Sequence, residues 1–518
     1  MRPNYAFLTL SFCLTTALAG VAQQPAKEDI DLAMIDKIKQ EGLNHSQVMQ
    51  TAFYLTDVAG PRLSNSTGLK NAEDWAVKQF TDWGLVNAKE EAWGDFGQGW
   101  EIQKSYLAMT APYYHPVIGT PKAWTPGGTG TGDVVLMKAE SEADLEKYAG
   151  KLKGMVVMTP MTTPLKTTFE ADAKRYSDEE LTAMTEARPA ANRPAPDADR
   201  MTALRARAAF RNRLNDFLKQ EGAALVLSYR NGAHGTYFTS NGASYAANAP
   251  AVLPEFEISG EDYGRLERLV EGGIPVKLEF DSKTRFLNSD LKGYNVVAEI
   301  PGTDKKLKSE LVMLGGHLDS WHAGTGATDN AAGCAVMMEA VRILKAVGAK
   351  PKRTIRVALW SSEEQGLYGS RNYVKNHFGD PATMALKPEQ EKVSAYFNLD
   401  NGTGKIRGVY TQGNEAVNPI FTQWLAPFHD MGATTITNRN TGGTDHLSFD
   451  AVGIPGFQFV QDGIDYSSRT HHSNQDTYER LQPDDLKQAS VIVASFVYDA
   501  AMRKDKLPRK ALPAKKGL

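Results

Sequence analysis

A chain of 518 residues with 42% hydrophobic and 23% charged side chains has ordinary globular composition and more length than one core usually fills, so two domains are expected. A formal net charge of −3 gives no general attraction to nucleic acid, which is excluded as a partner class.

Residues 1–22 carry Arg2, an apolar run of about fifteen residues and small residues at Ala19, Gly20 and Ala22, the pattern of a secretory signal cleaved near Ala22. The run is short for a span of about 20 residues, so no stable membrane insertion is expected after signal removal, and the protein is placed in a secreted or periplasmic setting. Cys13 leaves with the signal, Cys334 is the one mature cysteine, and no internal disulfide can form.

From residue 26 the pattern is helical, with apolar positions at Met34, Ile35 and Ile38, then Phe53, Leu55, Trp75, Val77 and Phe80, and GPRLSNSTG from Gly60 reads as a loop between helices. A strand opens near Asn87, and the runs up to about Tyr114 are expected to join the same sheet, giving an N-terminal piece over 26–115. Over 116–287 the texture changes to short apolar strands (GDVVLMKA, KGMVVMTP, AALVLSYR, AVLPEFEIS) with intervening helices and no metal-ligand cluster. Inside it, Arg188 to Arg200 reads as a flexible connector and MTALRARAAFRNRLNDFLKQEG as an amphipathic helix whose arginines form a solvated face. Residues 288–503 complete the first domain, ending in the helix DDLKQASVIVASFVYDAAMR. Residues 504–518 read as a basic, solvated tail.

The chemistry concentrates in 288–503. The apolar run ELVML empties into GGHLDSWHAGTGATDN, bearing His317, Asp319 and Asp329; TIRVALW empties into SSEEQGLYGS, with Glu363 and Glu364; and VSAYFNLD closes on Asp400. Parallel strands of an open α/β sheet point these ends the same way, and sites form outside them. THHSNQDTYERL adds His471 and His472. Each residue has a structural reading: Asp329 as a helix N-cap, Ser361 with Glu364 as a capping box, Asp400 as an Asx turn. Those readings do not explain why acids and imidazoles gather at successive strand ends.

Two histidines and three carboxylates can hold a pair of Zn²⁺ ions when one carboxylate bridges. Such a pair activates a shared water and polarises a carbonyl, and one further carboxylate must move the proton to the leaving amine. Glu363 and Glu364 supply one ligand and one base between them. Asp319, two residues beyond His317, is placed to orient that ring through its other nitrogen.

The motifs GGHLDS, TDN, WSSEEQGLYGS, FNLD and HHSNQDT resemble the co-catalytic di-zinc exopeptidases of clan MH, the aminopeptidase and glutamate carboxypeptidase superfamily, and most resemble its carboxypeptidase Q branch. The resemblance implies an α/β fold with a mixed, largely parallel sheet covered by helices, and an inserted protease-associated α+β domain over 116–287 acting as a lid. It implies two Zn²⁺ per chain: His317 and Asp400 on one, Glu364 and His472 on the other, Asp329 bridging. Glu363 then matches the general base and Asp319 the partner behind His317. The choice of His472 over His471 follows the family pattern and puts Asp476 behind it, while Thr444 and Asp445 match a loop that borders the substrate. The implied activity is hydrolysis of terminal peptide bonds of short peptides by an amino- or carboxypeptidase, with a homodimer left open. A receptor-like binding protein on the same fold and a glutaminyl-cyclase-like acyltransferase are the alternatives; retention of every ligand and of Glu363 argues against the first, and metal count and ammonia release separate the second.

Overall fold

The computed structural model describes residues 27–187, 198–230 and 232–512. The signal segment, most of the Arg188 to Arg200 connector and the last six residues lie outside it. Two sheets organise the chain.

The first sheet has eight strands: β1 (Val86–Asp95), β2 (Lys292–Ile300), β3 (Leu311–His317), β4 (Thr354–Trp360), β5 (Val393–Asn398), β6 (Ile406–Tyr410), β7 (Thr435–Thr437) and β8 (Gly456–Gln461). Their spatial order is β1-β2-β4-β3-β5-β8-β6-β7. The central four, β4, β3, β5 and β8, run parallel, with His317 level with Trp360 and Gly315 with Asn398. β1 and β2 join antiparallel on one side, and β6 runs antiparallel to β8 on the other. Residues of the central strands are buried on both faces, as near-continuous aliphatic and aromatic runs require.

One face carries the helices Leu32–Asn44, Thr67–Asp82, Ala332–Ala346 and Pro483–Met502, which share one core with it; Tyr373, Val374, Phe378 and Phe449 fill the other. Ala332–Ala346 is buried almost all round because Pro483–Met502 packs over it. Tight spacing fixes two glycines: a Cβ on Gly315 would lie 2.1 Å from Ala358 O, and one on Gly333 2.2 Å from Leu399 O.

The second sheet has nine strands, built on the long strand Lys277–Leu287. Gly99–Lys104 and Leu107–Ala111 pair with that strand, so the expectation that the runs up to Tyr114 join the first sheet holds only as far as Asp95. Local alternation cannot name a partner some 170 residues downstream. Gly260–Glu271 covers one face through Tyr263 and Leu266, and Ala198–Gln220 the other through Phe210, Leu214, Phe217 and Leu218. The arginines at 200, 205, 207 and 211 are exposed, as the sequence pattern requires. An arm reaches from this unit to the first: Asp178–Glu186 packs against β7, and the arm's Arg175 meets Asp462 at 2.9 Å and Asp485 at 2.6 Å.

The C-terminal segment departs from the solvated tail expected of it. Leu507 is buried, Arg509 donates to Gln390 O and Val393 O, and Lys510 pairs with Asp450 at 2.6 Å. Arg353 reaches the carbonyls of Arg503 and Lys504. Arg509 and Lys510 thus serve as a hydrogen-bond donor and an ion-pair partner rather than as part of a free charge run.

Candidate metal centre

The carboxyl ends of β3, β4, β5 and β8 open onto one space. β3 ends on His317, whose Nδ1 donates to Asp319 O at 3.0 Å. A carbonyl can only accept, so a neutral ring turns the lone pair of Nε2 outward. That nitrogen lies 3.3 Å from Asp329 Oδ1, 3.3 Å from Asp400 Oδ1 and 4.0 Å from Glu363 Oε2. Beyond it, His472 Nε2 lies 3.2 Å from Asp329 Oδ2 and 2.8 Å from Glu364 Oε2. The two oxygens of Asp329 thus face two histidines. His471 is further away, 3.8 Å from Asp329 Oδ2, and its side chain is 47% exposed with the ring against that of His472.

Lone pairs of like character converging this closely need a cation or protons between them. Asp329 Oδ2, Glu364 Oε1 and Asp400 Oδ1 are buried without a hydrogen-bond partner. A cavity of about 10 Å³ touches Asp329, Glu364 and His472, room for one water-sized body. His317, Asp329 and Asp400 present ligand atoms within 4.8 Å of one another, as do Asp329, His471 and His472. The donor set, imidazole nitrogen and carboxylate oxygen, suits zinc.

Protonation in the metal-free chain follows. Burial works against charge on both histidines, but Asp400 and Glu363 outweigh it at His317, raising its pKa well above the usual range, and Glu364 and Asp329 lift His472 to about 11. Burial also pushes Glu364 up to about 7 and Glu363 well above the carboxylate range, with Asp400 and Asp445 adding repulsion at Glu363. Asp329 goes the other way: burial opposes its charge, yet His317 and His472 hold it well below.

None of the three structural readings describes what these residues do. The helix after Asp329 starts at Ala332 without a side-chain cap, and it is Asn330 Oδ1 that accepts from Gly333 N at 3.1 Å. Ser361 accepts from the Trp93 indole, and the helix after the Glu pair begins only at Tyr368. Asp400 Oδ1 makes no turn bond.

Two supporting acids sit differently from expectation. The carboxylate of Asp319 is 3.7 Å from His317 Nδ1, which bonds the Asp319 carbonyl instead; its oxygens accept from Glu363 N at 3.1 Å and Glu364 N at 3.3 Å. It therefore shapes the Glu363–Glu364 turn. Asp476 does not back His472: it accepts from Thr328 N at 2.6 Å and Asp329 N at 3.1 Å, fixing the backbone of the carboxylate between the histidines. Thr444 and Asp445 are buried rather than at an open border; Thr444 Oγ1 accepts from Asn398, and Asp445 is pushed up to about 7 by burial, with no partner for either oxygen.

Residues the sequence did not flag complete the frame. Arg62, fully buried in the inter-helix loop, donates to Leu55, Leu318, Thr325 and Gly326 carbonyls, and its own N–H bonds Ser320 Oγ at 3.1 Å. Three of these carbonyls lie in the loop from His317 to Asp329, and the one guanidinium among them fixes its course. Ser64 reaches Asp319 Oδ2 at 3.4 Å and touches Gln365. Trp321 stands 6.2 Å from His472 and 6.3 Å edge-on from Trp124, where the two units meet through Leu63, Trp93, Trp100 and Trp124. The one available signal was an arginine and a serine inside GPRLSNSTG.

Residues 295–497 match the model of peptidase family M28. Carboxypeptidase Q of Rattus norvegicus is 26% identical over 492 residues, 93% of this chain and 91% of that one. Aminopeptidase YwaD of Bacillus subtilis (strain 168) is 28% identical over 206 residues, 39% of this chain and 43% of that one. Among solved structures, a peptidase M28 precursor from Shewanella amazonensis SB2B superposes with a TM-score of 0.66 at 24% identity, covering 93% of this chain and 99% of that one, which shows a shared fold. All five converging residues lie inside the matched span, and the likeness to carboxypeptidase Q runs through both sheets: over residues 295–497 the chain is similar to peptidase family M28.

Proposed function

We propose that this peptidase is an exported zinc exopeptidase that binds two Zn²⁺ ions and cleaves terminal peptide bonds of short peptides. The observation that carries the reading is the convergence of His317, Asp329, Glu364, Asp400 and His472 with buried carboxylate oxygens that no hydrogen bond satisfies. In this reading His317 and Asp400 hold one ion, Glu364 and His472 the other, and Asp329 serves both. Bound there, the ions would supply Lewis acidity toward the scissile carbonyl and would lower the pKa of the attacking water.

The chain's own groups do the rest. Glu363 lies beside the ligands without being one, and its carboxylate takes the proton from the attacking water and returns it to the leaving amine nitrogen. Asp319 keeps Glu363 and Glu364 in register through their backbone N–H groups, and Asp476 and Arg62 fix the loop that presents Asp329. Relatives named carboxypeptidase and aminopeptidase support action at a chain end. Export rests on residues 1–22; among the described residues no helix is long and apolar enough to cross a membrane.

The test is a mass-spectrometric digest of an unblocked peptide library by purified protein of measured zinc content. Trimming from one end with two zinc per chain is expected. Internal cleavage, or a single zinc at full activity, defeats the reading.

A further inference from the structure

The loop that bears His472 is held from outside its own domain. It runs from Asp462, just past β8, to Asp476, and the second unit grips it on two sides. On one side Lys174 bridges Ile464, Arg175 pairs with Asp462, and Asp172 binds the Arg469 guanidinium. On the other, Phe238 bridges Ser473 antiparallel, and Thr239 N donates to His472 O at 2.8 Å. Asn474 is the centre of this second grip. Its Oδ1 accepts from Tyr237 N at 3.0 Å, its Nδ2 donates to Gly235 O at 3.1 Å, and its backbone N–H donates to Tyr237 O at 3.2 Å. Arg469 adds bonds to Ala233 O at 2.9 Å and Thr236 Oγ1 at 3.3 Å.

These bonds fall on a residue that needs them. His472 has φ +61°, a left-handed conformation that is unfavourable for a non-glycine residue and persists only where the surroundings impose it. Its ring must also stay within reach of Asp329 and Glu364. His317, by contrast, closes a strand that is paired on both sides, and its ring is held by Asp319 O within the first unit.

We propose that the second unit is a working part of the metal centre: through Asn474, assisted by Arg469, it positions His472 and thereby sets the affinity of the second metal position alone. The proposal rests on the ligand assignment above and adds to it an unequal dependence of the two positions on the inserted unit. Asn474 and Arg469 act as positioning residues.

The experiment titrates full-length, metal-free protein with Co²⁺ alone, followed by its visible absorption, in the parent, Asn474→Ala, Asn474→Asp and His472→Ala. Asn474→Ala is expected to weaken about 10- to 100-fold the binding step that His472→Ala removes, the usual effect of losing a group that orients a ligand, and to leave the other step unchanged. Asn474→Asp keeps an acceptor for Tyr237 N and falls between it and the parent. Should Asn474→Ala fail to fold, Arg469→Gln, which cuts the bonds to Ala233, Thr236 and Asp172, carries the same expectation. Equal weakening of both steps overturns the proposal, as does an unchanged titration of Asn474→Ala when His472→Ala loses one step. Two intact steps in His472→Ala overturn the ligand assignment and the proposal with it.

Discussion

Replacing Glu363 by Gln isolates the proton-transfer role from every structural one. The amide has the same size, and the backbone bonds of the turn survive: Glu363 N still donates to Asp319 at 3.1 Å, and Gly366 N and Leu367 N still donate to the residue 363 carbonyl at 2.8 Å. The side chain is 8% exposed and its Oε2 stands 4.0 Å from His317 Nε2, so no ligand is removed. A positioned general base contributes about 10²- to 10⁴-fold, or about 3–5 kcal/mol of barrier, and kcat should fall by that factor with zinc content unchanged. Stability should not fall, because burial and the neighbouring Asp400 and Asp445 already oppose charge on this carboxylate. Turnover of unblocked peptides, elemental analysis and a melting curve on one preparation check all three. Normal turnover at full zinc content would refute the base assignment; lost zinc would show that Glu363 is a ligand.

His472→Ala should lower the zinc content by one ion per chain, read by elemental analysis, and an unchanged stoichiometry counts against His472. Phe496→Ala should cost about 3–5 kcal/mol in denaturant unfolding, since the ring packs within 5.4–5.5 Å of Phe421, Trp424 and Phe459 in the largest core. Asp499, on the last helix, is pushed up to about 8 by burial, with Glu28 and Asp31 adding repulsion. Between about pH 4 and 8 the folded chain keeps a proton there that the unfolded chain has released, so stability falls as pH rises through that window. Asp499→Asn should therefore raise the melting temperature more at pH 8 than at pH 4, and an equal gain at both would refute the shift.

Three strand ends were legible because His317, Glu364 and Asp400 each follow an apolar run within a few residues, and neighbouring strands of one direction bring those ends together. Spacing along the chain carried that information. What it did not carry were pairings between distant segments: Gly99–Lys104 alternates no differently from a strand of the first sheet, and only Lys277–Leu287 decides its place. Asp476 was misjudged for a related reason. It lies four residues from His472, yet its carboxylate turns to Thr328 and Asp329, nearly 150 positions earlier. Arg62 looked like a loop residue because nothing local shows that four carbonyls will surround it. The C-terminal lysines and arginines looked like a loose charge run because composition cannot show acceptors on Gln390 and Val393.

The helix Asp178–Glu186 lies against β7, the last strand of the eight-stranded sheet. An uncovered terminal strand offers a row of unpaired amides to any other extended chain, a standing risk of self-association. At the opposite margin β1 is interrupted by two register shifts and carries Lys89, Glu90 and Glu91, which discourage the same event. The arm thus guards solubility at one margin while charge and irregularity guard the other, and trimming residues 178–186 alone would invite filament-like association while leaving the grip of Asp172, Lys174 and Arg175 on the loop that bears His472.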